Sequence, residues 1–203
     1  MLFLLVKSIK DRSIYESVFF DLVEANPVIA AVKDMKGLQE SCELEDIKVV
    51  FILFGDVCSI GNIVDKVKDA GKIAMVHIDL VNGLSGKDIV VDFIKNNTKA
   101  DGIISTKATL IKRAKELGLY TIFRVFVIDS IALENIRNQF HTVQPDFIEI
   151  LPGVMPKIIS KICDIIHQPV IAGGLISDKE SVIAALEAGA ISVSTTNSDI
   201  WKM

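Results

Sequence analysis

Residues 169–203 read PVIAGGLISDKESVIAALEAGAISVSTTNSDIWKM, and the order of element types in this stretch decides the fold. A short apolar run, Pro169 to Ala172, meets the pair Gly173-Gly174. An amphipathic stretch from Asp178 to Ala188 follows, then Gly189, a second apolar run from Ala190 to Ser194, and a polar turn, Thr195 to Ser198. That is strand, glycine turn, helix, strand, polar turn and helix start. Two neighbouring turns, one of paired glycines and one of hydroxyls, suit several backbone N–H groups aimed at one anion. In barrels of eight βα units, the loops after strands seven and eight commonly form a phosphate site. Gly173, Gly174, Ser194 and Thr195 are therefore candidate phosphate ligands. The plainer reading of the glycine pair is a tight strand-to-helix turn.

Working outward, the same cycle recurs toward the N-terminus. Strand signals fall at Pro27–Lys33, Lys48–Gly55, Lys72–Asp79, Asp101–Ser105, Leu119–Ile128 and Pro145–Leu151. Helical patterns follow each, at about Met35–Cys42, Ile60–Ala70, Lys87–Asn96, Lys107–Leu117, Ser130–Phe140 and Met155–His167. Gly71 and Gly118 close two of these helices as C′ residues. A further amphipathic helix over Ser13–Ala25, capped by Ser13 and ended by Asn26-Pro27, precedes the first strand. Eight strand signals, each with a helix or helix start, predict a parallel α/β fold. An open doubly wound sheet is the other option, but the count of eight favours a closed (β/α)8 TIM-type barrel. So does a polar residue at the C-terminal end of most strands. At 203 residues the chain is shorter than a typical barrel of about 250, so helices and loops must be short. The expected organisation is one domain over 1–203, with 1–25 covering the barrel and 26–203 supplying its repeats.

Half of the residues are apolar, enough for one buried core. The net charge of −4 excludes a globally basic nucleic-acid surface, though not a local patch. Cys42, Cys58 and Cys163 are widely separated and form no CxxC pair, which argues against structural zinc and suits a reducing compartment. The apolar opening MLFLLVK is too short for a signal core or a membrane span. The expectation is a cytoplasmic protein without metal, cofactor or membrane partner.

Strand period two decides which polar groups share a face. His77 and Asp79 fall together at the end of the third strand, as a hydrogen-bonded pocket pair or, less well supported, a metal pair. Glu149, flanked by isoleucines, is a buried carboxylate that must have a partner. Either Arg124 on the neighbouring strand pairs with it structurally, or it binds a hydroxyl or takes part in catalysis. Lys33, at the end of the first strand, reads as a Schiff-base or phosphate-facing lysine, or as the first solvated residue after a strand. Two cationic clusters, Lys107/Lys112/Arg113/Lys115 and Lys157/Lys161, suit either a polyanion or a solvated helix face. No aromatic is interleaved with either.

The blocks NPVIAAVKD (26–34), VFILFGD (50–56), KIAMVHIDLVNGLS (72–85), ADGIISTK (100–107), DFIEILPGVMPK (146–157), PVIAGGLISDKE (169–180) and AGAISVSTTNSDIW (188–201) occur in this order. Together they resemble the glycerol uptake operon antiterminator regulatory proteins, a bacterial family responsive to glycerol 3-phosphate. The resemblance implies a regulator on a barrel scaffold that binds glycerol 3-phosphate and then the leader mRNA of glycerol-catabolic genes, preventing premature termination. It points to Lys33, Asp56, His77, Asp79, Ser105, Lys107, Arg124, Glu149, Gly173, Gly174, Ser194 and Thr195. Phe123 departs from the glutamine expected before the arginine, and its outward face makes this a packing change. Under this reading Lys33, His77, Asp79, Arg124 and Glu149 line the glycerol end, and Lys107, Lys112, Arg113 and Lys115 face RNA. A homodimer would join two weak patches. The rival from the residues alone is a phosphosugar lyase or isomerase using Lys33, His77, Asp79 and Glu149.

Overall fold

The computed structural model describes residues 19–23 and 25–203. Its eight strands are β1 (Val28–Val32), β2 (Val49–Ile52), β3 (Ile73–His77), β4 (Gly102–Ser105), β5 (Tyr120–Phe126), β6 (Phe147–Leu151), β7 (Val170–Gly173) and β8 (Ser192–Thr195). They pair in parallel in chain order, and β8 pairs back to β1, so the sheet is a closed barrel. The helices are α1 (Met35–Glu43), α2 (Ile60–Asp69), α3 (Ile89–Asn97), α4 (Ala108–Glu116), α5 (Ser130–Val143), α6 (Pro156–Cys163), α7 (Lys179–Glu187) and α8 (Ser198–Trp201). The TIM-type barrel expected from the repeating cycle is the fold.

Register explains why the strands are apolar on both faces. Phe51 lies opposite Met75, Ile104 opposite Ile122, and Glu149 opposite Ile171. These positions point inward, and Ile29, Phe51, Met75, Ile104, Ile122, Phe147 and Ile171 fill the interior. The alternate positions, such as Val50, Val76, Ile103, Ile148 and Val193, pack outward against the helices. Phe123 belongs to this outer layer, so its side chain is part of the barrel–helix packing.

The expected boundaries shift where the chain leaves the ladder. β2 ends at Ile52, three residues early, because Gly55 takes a positive φ of 113° and Asp56 then bridges to Asn82. α6 ends at Cys163 rather than His167, the amides of Asp164 and Ile165 turning back to Ser160 and Ile162. Gly71 and Gly118 adopt the left-handed conformation expected after α2 and α4.

The N-terminal end of the barrel is plugged and stapled. Residues 19–23 are helical, and Phe19 and Val23 join the interior cluster. The Phe19 ring sits 5.1 Å from Tyr120 and 4.5 Å from Phe147, the first residues of β5 and β6. Residues 13–18 of the expected first helix lie outside the described residues. Two aspartates repeat one device two units apart. Asp101 accepts from Lys68 of α2 and from the Ala74 amide of β3. Asp146 accepts from the Thr121 amide and hydroxyl of β5, with Lys115 of α4 at 3.2 Å. Each ties a helix C-terminus to the strand after it and to the loop entering the next.

Candidate ligand site at the barrel mouth

A cavity of about 440 Å3 opens at the C-terminal ends of the strands. Arg124, Glu149 and Ser194 lie at its base, and Ala31, Leu53 and Leu151 give it apolar walls. Residues 174–177 and 195–197, the turns after β7 and β8, complete it.

Glu149 has no exposed surface. Arg124 Nε donates to its Oε2 at 2.5 Å, and Ser194 Oγ donates to its Oε1 at 2.5 Å. Burying a carboxylate this way is tolerable because both oxygens carry short charge-assisted hydrogen bonds. The structural Arg124–Glu149 pair therefore forms, and the same pair lines the cavity. Gly173 makes this possible by close approach. A Cβ there would fall 2.5 Å from Glu149 Oε1 and 2.6 Å from Ser194 Oγ.

The turns after β7 and β8 hold each other. Thr195 Oγ1 donates to the Ile176 carbonyl at 2.7 Å and accepts from the Asn197 amide at 3.1 Å. Asn197 Nδ2 donates to the Ser177 carbonyl at 3.0 Å. The Ser194 and Thr195 hydroxyls, expected on a phosphate, are thus engaged within the protein. Only the main-chain N–H groups of the turns would be left to meet an anion here. Gly174 lines the cavity directly, whereas Gly173 serves it by admitting Glu149 and Ser194. Leu175, beside Gly174, adopts a φ of +63° and stands 75% exposed at the rim. That conformation is costly for a bulky side chain.

At β3 the expectation needs correcting. The strand stops at His77, and Ile78–Leu80 form a 3-10 turn, so Asp79 does not continue the alternation. The turn swings Asp79 toward the β4 loop. Its Oδ2 accepts from Ser105 Oγ (3.0 Å), Thr106 N (2.8 Å) and Thr106 Oγ1 (3.2 Å), and Lys107 Nζ lies 3.4 Å from Oδ1. Burial works to raise the Asp79 pKa, but the Thr106 and Ser105 hydrogen bonds, with the charges of His77 and Lys107, hold it below the usual carboxylate value. His77 is 3% exposed. Burial, then the Arg124 charge, press its pKa down from 6.5 to about 4, against the pull of Asp79. His77 Nδ1 and Asp79 Oδ1 are buried without a hydrogen-bond partner among the described residues.

Other expected residues lie apart. Lys33 is exposed at the end of β1 and does not line the cavity, so its solvated reading is the one the geometry favours. Asp56 turns its carboxylate to the Cys58 and Ser59 amides (2.9 and 2.8 Å) at the entry to α2. On α4, Arg113 pairs with Asp92 (2.5 Å) and Glu116 (3.0 Å), and Lys115 bonds the Gln144 carbonyl and pairs with Asp146. With Lys107 beside Asp79, three of the four cations expected to face RNA lie in ion pairs within the chain; Lys112 is exposed. No group of three metal-ligating side chains occurs among the described residues. No helix among them is long and apolar enough to cross a membrane.

The reading of strand ends missed Leu53, Leu151 and Asn197. Leu151 was within reach, since it shares the inward face of Glu149. Asn197 announces itself as the cap of α8, its side chain accepting from the Asp199 amide.

A closed eight-stranded parallel barrel with a cavity between the turns after β7 and β8 is a TIM-type barrel, and the C-terminal face is where barrels of this class carry their sites. Residues 28–201 match the family described as glycerol-3-phosphate responsive antiterminator, and the chain belongs to that family. It is 47% identical over 182 residues to a protein of Escherichia coli K12 described as uncharacterized protein YgcP, covering 90% of this chain and 95% of that one. The crystal structure of the glycerol uptake operon antiterminator regulatory protein from Listeria monocytogenes superposes with a TM-score of 0.84 at 37% identity, over 87% of this chain and 95% of that chain. A glycerol uptake operon antiterminator-related protein from Thermotoga maritima gives 0.76 at 35% identity, over 87% and 98%.

Proposed function

We propose that this chain binds glycerol 3-phosphate at the barrel mouth and, in the liganded state, binds the leader mRNA of glycerol-catabolic genes to prevent premature termination. The observation that carries the ligand half is the cavity between the β7 and β8 turns, with Arg124 at its base. The phosphate is placed against main-chain amides of the two turns, around Gly174 and beyond Thr195. The glycerol hydroxyls point toward the β3 end; neither His77 nor Asp79 lines the cavity itself, His77 Nδ1 has no hydrogen-bond partner among the described residues, and Asp79 Oδ1 faces Lys107 Nζ at 3.4 Å.

Family membership supports regulation rather than turnover. So does the cavity lining. It contains no lysine among the described residues, which leaves a Schiff-base lyase without its nucleophile, and both oxygens of Glu149 are engaged. The ligand must bind the RNA-competent state more tightly than the other, or it shifts nothing. The turn–turn hydrogen bonds Gly153 N to Gly174 O and Asn197 Nδ2 to Ser177 O give occupancy a route to the outer loops.

The test is leader-RNA binding by the full chain with and without glycerol 3-phosphate, alongside calorimetry of the ligand alone. RNA affinity should rise at least tenfold with ligand, a coupling of about 1.4 kcal/mol. Absence of ligand binding at millimolar concentration, or RNA affinity indifferent to ligand, overturns the corresponding half.

A further inference from the structure

We infer that the ledge formed by the loops after β5, β6 and β7 is the two-fold interface of a homodimer, in which a second copy of this chain packs the same residues against themselves. This interface stands whether or not the cavity takes glycerol 3-phosphate.

Exposed apolar side chains are unevenly spread over the barrel. Of the twelve large hydrophobic side chains exposed among the described residues, nine sit at the C-terminal face, at a strand end, in the loop after it or in the first turn of the next helix. Five of them crowd three consecutive loops: Phe126, Ile128 and Ile131 at and after β5, Val154 after β6 and Leu175 after β7. Hydrogen bonds join these loops into one ledge. The Val127 amide donates to the Leu151 carbonyl at 2.8 Å, and the Gly153 amide donates to the Gly174 carbonyl at 3.0 Å. Ile128 is 82% exposed, and Leu175 is 75% exposed at a φ of +63°, a backbone conformation costly for leucine. In a lone chain nothing offsets that cost, whereas burial against a partner does. A contiguous apolar ledge edged by charge has the anatomy of a protein–protein contact.

The charges around the ledge select the partner. Asp129 and Asp178 are engaged in capping, accepting from the Ala132 and Ser181 amides at 2.7 and 2.8 Å. That leaves Glu134, Lys157, Lys179 and Glu180, all exposed and none in an ion pair among the described residues. Two positive and two negative charges, with two capping carboxylates beside them, give a polyanion or an anionic membrane no net attraction. They suit a copy of the same surface. Glu134 lies at the β5 end of the ledge and Lys179 at the β7 end, with Val154 between them. A two-fold axis through Val154 sets Glu134 of each copy toward Lys179 of the other, while the apolar side chains meet at the centre. Leu175 also lines the cavity, so the interface borders the ligand site.

The experiment is sedimentation velocity of the full chain, without ligand or RNA, over a micromolar concentration series. The wild type should sediment as a species of about twice 22.2 kDa. Ile128→Glu and Leu175→Asn should each weaken the dimer at least tenfold. Neither should unfold the chain, because Ile128 has little packing to lose and asparagine tolerates the left-handed conformation better than leucine. Ile183→Glu, on α7 and outside the ledge, should leave the dimer unchanged. Glu134→Lys and Lys179→Glu should each weaken it, and the two variants mixed should associate with one another more tightly than either does with itself. A monomeric wild type overturns the inference. So does a dimer that Ile128→Glu and Leu175→Asn leave intact, or a mixed pair that shows no preference. A monomer whose leader-RNA binding is abolished by those two substitutions makes the ledge an RNA surface instead. None of these results bears on ligand binding in the cavity, which calorimetry reads separately.

Discussion

Arg124 and Glu149 face each other in register on β5 and β6, and the arginine Nε meets the glutamate Oε2 at 2.5 Å inside the barrel. A buried pair of this kind is weak evidence of net stabilisation, because desolvating both charges offsets their attraction. Removing one partner is another matter, since the survivor is left buried and alone. Arg124→Met should destabilise the chain by about 3–5 kcal/mol, and the double variant Arg124→Met/Glu149→Leu should recover most of that loss. Urea unfolding of the three proteins measures it. A double variant no better than the single would mean that Ser194, rather than Arg124, is what keeps Glu149 tolerable.

His77 gives stability a pH dependence with a definite sign. Its pKa falls from 6.5 to about 4 on folding, so between those values the unfolded chain binds more protons than the folded one. The full stability is present above about pH 6.5 and declines as pH drops toward 4. The shift corresponds to roughly 3 kcal/mol at most. Comparing unfolding at pH 7.5 and 4.5 for wild type and His77→Gln isolates the contribution, and the variant should show the shallower decline. Identical slopes would show that His77 does not carry it.

Much of this architecture is legible from residues alone, for physical reasons. Eight apolar runs with helices between them admit few topologies, and inward alternation assigns Arg124 and Glu149 to one face. What escapes the sequence is where alternation stops. His77 and Asp79 look like same-face neighbours until a 3-10 turn intervenes, and no local propensity marks that turn. Hydroxyls are equally opaque: Ser194 and Thr195 look free for a phosphate, but the first reaches Glu149 and the second Ile176 across chain separations no spacing rule contains. The ion pairs of the α4 cations are out of reach of spacing rules for the same reason, since Asp92 and Asp146 lie on other segments.

Gly173 links packing to the site. A methyl group there would displace Glu149 or Ser194, whose Oε1 and Oγ would lie 2.5 and 2.6 Å from it. Gly173→Ala should leave the barrel folded, because β7 needs no special backbone angle at this position, but should weaken glycerol 3-phosphate at least tenfold, about 1.4 kcal/mol. Circular dichroism and calorimetry separate the two effects. Unchanged affinity would place the ligand away from the Glu149–Ser194 contact.

The aspartate staples at the opposite end predict stability changes without functional ones. Asp146→Ala removes the acceptor of the Thr121 amide and hydroxyl and unpairs Lys115. Stranding those groups should cost about 1–3 kcal/mol, with Asp101→Ala acting similarly through Ala74 and Lys68. Thermal unfolding checks the loss, and ligand affinity at 25 °C should stay within about twofold because the cavity is at the other end of the strands. A large affinity change would reveal coupling along the barrel axis.

The ion pairs on α4 reorder which lysines should matter for RNA. A phosphate-contacting cation contributes about one unit to the slope of log affinity against log salt. Arg113 already holds Asp92 and Glu116, and Lys115 holds Asp146, so recruiting either to RNA requires breaking an existing pair. Lys112 on α4, and Lys157 and Lys161 one turn apart on α6, are exposed and form no ion pair among the described residues. Lys157→Ala with Lys161→Ala should therefore lower the salt slope by up to about two and weaken leader RNA evenly across sequences, while Arg113→Ala should mainly loosen α4 against α3. Leader-RNA binding across a salt series, with glycerol 3-phosphate saturating, measures each. A slope lowered by Arg113→Ala and untouched by the α6 pair would return the RNA surface to α4.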